Sequence, residues 1–335
     1  MERKCGMESP LLSIIIPVFN AEEYIDEALL SCYQQGFDEG ELQIICVDDG
    51  SSDDSMNKIK AFQEKLGTKC IEIIEQNNSG AAAARNHGMT LIRGKYFCFL
   101  DADDGFKPGY LKRICNKMEE YKCAVSQYEM TRSFGDEGGT DHEERLLFTS
   151  VGKMTLIGNV WIYMFSSNVF GNLRFDEKMK YAEDTFFAQQ AALKNQTCLR
   201  IHNEVYIYRD NPNSLINNRD GNVVAECMLK LAENHQQLLR NGQHDGQQDQ
   251  IIIWRDRAAS LYVYWKLRAG NKKEPFTTLK QHGLMPFKKE WKSIIPHAFN
   301  KKEVRRVFSS IAVVLSGYKL FWLVFAKTGV LCKYC

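Results

Sequence analysis

Residues Tyr96-Phe97-Cys98-Phe99-Leu100-Asp101-Ala102-Asp103-Asp104 form an apolar run that stops in three carboxylates within four positions. A run without polar alternation reads as a strand covered on both faces, and such strands belong to parallel sheets flanked by helices. Ligands in those sheets sit just beyond the carboxyl ends of the strands. Asp101 and Asp103, two positions apart, share a face of an extended segment and offer hard oxygen donors of the kind that bind Mg²⁺ or Mn²⁺ carrying phosphates. The same residues also suit a solvated acidic turn before the next helix, with Asp104, Gly105 and Pro108 supplying the turn chemistry.

The 335 residues suffice for one large domain with an appendage, or for two domains. The net charge of +1 hides an asymmetry: Lys266 to Cys335 holds 15 Lys/Arg against 3 Glu and no Asp. The tail is therefore strongly basic and the rest acidic, which points to a partner for the tail. The 11 cysteines are odd in number and lie in apparent helices and strands, so they read as reduced thiols. Met1 to Pro10 lacks the apolar stretch of a signal peptide.

Upstream of the acidic strand, Leu11 to Asn20 is a β-branched run closed by Pro17 and Asn20. An amphipathic helix is expected over Glu22 to Gln35, and a second strand, Leu42 to Val47, again runs into acid at Asp48 and Asp49. A helix over Ser55 to Leu66 and a strand over Cys70 to Glu75 follow. This alternation predicts a parallel sheet with right-handed crossovers. Asn77 to Asn86 leads into an Ala-rich helix, which reads either as a small-residue face for close packing or as a helix N-terminus offered to phosphates with Arg85 as an added cation.

Four motifs in this order, Ser13-Ile14-Ile15-Ile16-Pro17-Val18-Phe19-Asn20, Val47-Asp48-Asp49-Gly50-Ser51-Ser52-Asp53, the segment from Asn78-Ser79-Gly80 to Arg85-Asn86, and Leu100-Asp101-Ala102-Asp103-Asp104, resemble the nucleotide-sugar half of family-2 inverting glycosyltransferases of the GT-A fold. The resemblance implies that the Pro17–Asn20 loop and the Asp48/Asp49 loop hold the nucleotide base, with Phe19 against the ring and Asp49 accepting from a uracil-type N–H. Asp101 would meet the ribose side or a metal-bound water, and Asp103 the Mn²⁺ or Mg²⁺ that bridges the diphosphate. Such an ion stabilises the leaving group as a Lewis acid.

Further on, a helix over Tyr110 to Tyr121 and a strand over Ala124 to Arg132 precede a polar, Gly-rich loop, Ser133 to Arg145. Arg174-Phe175-Asp176-Glu177 and Tyr181-Ala182-Glu183-Asp184-Thr185-Phe186-Phe187 form a second acid cluster. An Asp heading an apolar helix is commonly a cap, but the pattern also resembles the family's catalytic-base motif, which makes Asp184 the expected base and Glu183 the second choice. An inverting reaction needs one carboxylate to take the acceptor hydroxyl's proton. The strand Tyr206-Ile207-Tyr208-Arg209 resembles the family's tyrosine-rich strand, with Arg209 either an anion contact or a surface cation beside a turn. His202 reads as structural.

The resemblance fades after about residue 220. The expected organisation is a GT-A catalytic domain over 1–220, divided into a nucleotide-sugar part (1–110) and an acceptor side (111–220), then a helical region over 221–335. Helices are expected over Val223 to Arg240 and Ile251 to Leu267. In the basic tail, Glu303 to Ala326 carries an aromatic and aliphatic stripe between basic flanks. It reads first as an in-plane helix on an anionic membrane surface, then as a helix docked on the catalytic domain, and last as a membrane span. Nothing accompanies the basic stretch that would recognise nucleic acid. The chain thus reads as a metal-dependent inverting glycosyltransferase that moves a sugar from a nucleotide-sugar, expected to be a UDP-sugar, to a hydroxyl of a glycan or lipid-linked glycan in polysaccharide biosynthesis. It would be cytoplasmic, peripheral on the inner face of the cell membrane. Transfer to a polyprenyl phosphate and an inactive nucleotide-sugar-binding scaffold are the rival readings.

Overall fold

A computed structural model describes residues 9–132, 146–150, 159–194, 197–211, 220–242, 246–269 and 274–284. The expected polar loop at 133–145 and the tail helix at 303–326 lie outside these residues. The chain divides into two compact units, Met1–Ser214 and Leu215–Cys335.

The first unit opens with β1 (Leu12–Val18), α1 (Ile25–Tyr33), β2 (Leu42–Asp48), α2 (Ser55–Leu66), β3 (Ile71–Glu75), α3 (Ala81–Met89) and β4 (Tyr96–Phe99). These strands pair in parallel in the order β3-β2-β1-β4. Every residue of β2 and of β4 is buried, which is why both are continuous apolar runs rather than alternating ones. The helix α3 is small-faced for a packing reason: a Cβ on Gly88 would come within 2.6 Å of Ile15 Cγ2, so only a glycine lets this helix lie so close to β1.

Beyond β4 the sheet changes character. The elements β5 (Gly105–Phe106), α4 (Tyr110–Glu120), β6 (Val125–Thr131), β7 (Leu146–Ser150), β8 (Tyr163–Ser166), α5 (Ser167–Phe170), α6 (Glu183–Leu193) and β9 (Thr197–Ile207) complete the unit. The sheet continues β4-β8-β6-β9-β5, with β7 also on β9. Here β8 is antiparallel to both β4 and β6, β9 is parallel to β6, and β5 and β7 are antiparallel to β9. The result is an α/β fold whose first half is a parallel sheet and whose second half is mixed.

An aromatic cluster joins the two halves. Phe99 on β4 meets Phe175 and Phe187 edge-on at centroid distances of 5.3 and 5.8 Å, and Phe175 stacks on Phe187 at 4.3 Å. Phe187 is fully buried, so the helix carrying Glu183 and Asp184 is anchored against the acid-bearing strand by apolar contact. All eight described cysteines are free, and seven are buried, consistent with thiols used as small core residues.

In the second unit, α7 (Gly221–Asn241) and α8 (Gln248–Arg268) pack along one another, with α9 (Glu274–Gln281) against α8. Asp220 caps α7 by accepting from Asn222 N at 2.8 Å, and Gly242 ends it at φ 65°. Arg255 and Asp256, both buried, form an ion pair of 2.7 Å, and Arg255 also donates to Gln236 at 3.0 Å. Among the described residues no helix is long and apolar enough to cross a membrane.

Candidate active site

The site grows from the carboxyl ends of β1, β2 and β4. The loop after β1 is laced to the loop after β2: Ala21 N donates to Ser55 Oγ at 2.8 Å, Glu22 N to Asp53 Oδ2 at 2.9 Å, and Ser52 N to Asn20 Oδ1 at 2.8 Å. Asn20 takes φ 49°, which an Asn tolerates because its amide can bond locally. This lacing leaves Phe19 half exposed at the rim, beside half-buried Pro17, with one large apolar ring offered to solvent.

Asp48 and Asp49 are buried, and their environments differ. Asp48 accepts from Ser51 N at 3.2 Å and so shapes its own turn. Asp49 accepts from Gln76 Nε2, Ser79 N and Gly80 N at 2.9, 2.7 and 2.8 Å. The amides that lead into α3 are thus directed at a carboxylate of the protein itself. The sequence pattern allows this helix start to be either a small-residue packing face or one facing phosphates, with Arg85 beside it.

Arg85 lies deeper. Its Nη2 is 2.7 Å from Asp101 Oδ1 and its Nη1 is 3.0 Å from Glu183 Oε1, while its guanidinium lies 5.5 Å from the Phe175 ring centroid. The Asp101 and Glu183 charges hold the guanidinium firmly protonated against the cost of burial. Asn86, the next residue, donates to Phe175 O and Glu177 Oε1 at 3.0 and 2.8 Å and accepts from Phe175 N at 2.8 Å. Consecutive residues of one helix therefore reach two distant segments, Arg85 toward both acid clusters and Asn86 toward the loop between them.

At the head of α6, Ala182 sits at φ 64°, a conformation uncommon for a residue with a Cβ. Asp184 is therefore inside the first turn rather than at its cap, and its Oδ1 accepts from Thr185 N at 2.6 Å. Burial first, then the neighbouring Glu183 charge, pushes the Asp184 carboxyl up to about 7. Burial also raises Glu183, with Arg85 pulling the other way. A carboxyl titrating near neutrality is suited to proton transfer.

The acid turn after β4 is held from β9. Asp103 Oδ2 accepts from Asn211 Nδ2 at 2.9 Å, and burial raises its carboxyl. Arg209 donates through Nε to Asp103 O at 2.9 Å, pairs with Glu27 and lies 5.2 Å from the Tyr24 ring centroid. Asp104 is buried and accepts from Tyr206 Oη at 2.6 Å and from Arg209 N at 2.8 Å; burial, then Asp101, pushes it up to about 8. Sequence reading assigned Asp104 to turn chemistry and gave Asn86, Tyr24 and Glu27 no separate role. The Asp-Asp-Gly and Arg-Asn pairings were visible; the partners were not, because they lie on other elements. His202 is not near this turn's bonding network; its Nδ1 meets Glu129 Oε1 at 2.9 Å.

The two oxygen donors Asp101 and Asp103 lie in one turn, and among the described residues no group of three His, Cys, Asp or Glu side chains forms a metal cage. The turn fits a divalent cation of the kind that keeps waters and binds through one or two carboxylates plus substrate phosphates.

Fold and site together define a glycosyltransferase of the GT-A class. Residues 13–182 match the model of glycosyl transferase family 2, so the chain belongs to that family. Among curated relatives, it is 29% identical over 220 residues to the uncharacterised glycosyltransferase EpsJ of Bacillus subtilis, covering 62% of this chain and 63% of that protein. It is 26% identical over 204 residues to the poly(ribitol-phosphate) β-N-acetylglucosaminyltransferase TarS of Staphylococcus aureus, covering 58% of this chain and 35% of TarS. It is also 32% identical over 216 residues to the minor teichoic acid biosynthesis protein GgaA of Bacillus subtilis, covering 59% and 47%. The matched part spans less than two thirds of each of these relatives. Among solved structures, residues 1–349 of S. aureus TarS with UDP-GlcNAc superpose with a TM-score of 0.61 at 18% identity, over 92% of this chain and 91% of that one. A mannosyltransferase of Pyrobaculum calidifontis with GDP-Man and Mn²⁺ gives a TM-score of 0.55 at 14% identity, over 93% and 89%. At these identities the structural likeness shows the fold.

Proposed function

We propose that the chain is an inverting, metal-dependent glycosyltransferase that moves a sugar, N-acetylglucosamine first among candidates, from a UDP donor to a hydroxyl on a surface glycan, a lipid-linked glycan or a polyol-phosphate polymer. The observation that carries this reading is the convergence of Asp101, Arg85 and Glu183, drawn from three elements into one ion-paired group, with Asp184 next to Glu183 and within reach of its charge, beside a turn able to hold a cation. TarS, whose name and structure involve N-acetylglucosaminyl transfer and UDP-GlcNAc, supports the choice of donor.

Phe19 offers an apolar face to the base, and the buried Asp49 holds the strand-end loop that frames it. Asp103 and Asp101 would hold Mn²⁺ or Mg²⁺, which supplies charge neutralisation to the leaving diphosphate. Arg85 holds Asp101 and Glu183 in place through its two ion pairs. Asp184 then takes the proton of the acceptor hydroxyl as that oxygen bonds to the anomeric carbon and the bond from that carbon to the diphosphate oxygen breaks on the opposite face. Arg209, held beside the acid turn, would meet the diphosphate.

A calorimetric panel of UDP, GDP, dTDP and CDP, each with and without Mn²⁺, tests the donor half. Metal-dependent preference for UDP is the expected result. Binding of no nucleotide would remove the proposal in favour of a scaffold, and preference for another nucleotide would overturn the choice of donor.

A further inference from the structure

The fourth residue of the acidic segment differs from its neighbours. Asp104 is 2% exposed, and both of its oxygens are engaged, Oδ2 by the Tyr206 hydroxyl at 2.6 Å and Oδ1 by Arg209 N at 2.8 Å. It is therefore turned away from any ligand of the turn. The Tyr206 hydroxyl has a second bond, accepting from Asp101 N at 3.3 Å. A single carboxylate and a single phenol thus connect the first acid of the turn, its last acid and the main chain that leaves β9. That chain returns to the turn twice more, through Arg209 Nε to Asp103 O and Asn211 Nδ2 to Asp103 Oδ2, both at 2.9 Å. The phenol itself has little freedom, since its ring stacks on Trp161 at 4.4 Å and meets the edge of Phe106 at 5.5 Å.

We propose that Asp104 is a positioning residue: with Tyr206 it locks the Asp101–Asp103 turn to the exit of β9, so that the turn's oxygens are presented to the donor's cation as one preformed unit. This rests on the reading that Asp101 and Asp103 receive the cation. The physical basis is that a carboxylate accepting two buried hydrogen bonds fixes its partners more tightly than either bond alone, and that leaving those donors unmatched carries the full desolvation penalty. Hydrogen bonding rather than charge is what the role requires. An amide keeps most of it, with its carbonyl toward Arg209 N and its N–H toward the phenol oxygen, while the phenol's own hydrogen loses its acceptor.

The test is calorimetric: UDP binding is measured against Mn²⁺ concentration for the full chain and for D104A, D104N and Y206F, and again without metal. Loss of two buried bonds in D104A is expected to raise the Mn²⁺ concentration for half-maximal UDP binding by about tenfold, while D104N, which leaves only the phenol hydrogen unmatched, shifts it by about threefold. UDP binding without metal, which depends on the base-framing loops, should not change in any variant. Tyr206→Phe removes a single oxygen and should shift the Mn²⁺ dependence by about threefold in the same direction, which keeps the question answerable if D104A does not fold. Equal damage in D104N and D104A would mean that the site uses the charge, and would overturn the assignment. So would an unshifted Y206F, or a parallel fall in metal-free binding, the mark of a general loss of structure. If binding by the unaltered chain is indifferent to Mn²⁺, the metal reading itself fails; a metal-dependent chain with unshifted variants fails this inference alone.

Discussion

The two halves of the first unit meet at the same site but are built in different ways. From β1 to β3 each strand is followed by a helix, β1 to β4 all pair in parallel, and the acidic site residues there lie at strand ends. From β5 to β9 the pairings are mixed, and the site residues depend on side-chain contacts made across 89 to 108 positions, such as Asn86 to Phe175 and Asn211 to Asp103. The first half is thus held by repetition of a local unit. The second half is held by a few specific contacts, so single substitutions there should have the larger effects.

The largest effect is expected at the base. Asp184→Asn should lower UDP release from UDP-GlcNAc by about 10²–10⁴-fold with UDP affinity unchanged, since the group acts on the acceptor. If most of the rate survived, Glu183 would take its place as the candidate. Next is the apolar anchor: Phe187→Ala should cost about 3–5 kcal/mol in urea unfolding, because Phe187 ties α6 to both Phe99 and Phe175 in the buried cluster. A loss under 1 kcal/mol would contradict this view of the second half as resting on few contacts.

In the first half, Asp49→Ala leaves three donors without an acceptor and should cost about 1–3 kcal/mol in the same measurement. Should Asp49→Ala destabilise more than Phe187→Ala, the comparison would be reversed. The pH profile comes next. Because Asp184 must be ionised to accept a proton and titrates at about 7, turnover should rise with pH through that value and fall on its acid side toward about tenfold per unit. A rate flat from pH 5 to 8 would argue against this group as the base. The smallest effect is at His202: its partly exposed pair with Glu129 is worth little in solvent, so His202→Ala should change stability by less than about 0.5 kcal/mol and leave UDP binding as it was.

The elements that were legible beforehand are those with local signatures. The helix over Ser55–Leu66 has the bounds its periodicity predicts, and β1 to β4 lie where the apolar runs are. The segment from 146 to 170 was not read at all, although β8 lies at the centre of the sheet between β4 and β6. Tyr163–Ser166 is only four residues long and both its neighbours, β4 and β6, lie well before it in sequence, so neither period nor turn chemistry announces it. The same holds for β5, two residues whose place is set by pairing with β9.

Sequence alone determined where the carboxylates fall relative to strands and helices, because burial on both faces forces continuous apolar runs and a helix repeats its apolar positions every turn. It placed Asp49 after β2, Asp101 and Asp103 after β4, and Glu183 and Asp184 at the head of a helix. Only the tertiary structure decided what each acid meets: Arg85 between Asp101 and Glu183, the α3 amides on Asp49, and Asp104 turned inward to Tyr206. Periodicity is a property of neighbouring residues, whereas the partner of a buried charge is chosen by the cost of leaving it unmatched once distant segments have packed around it.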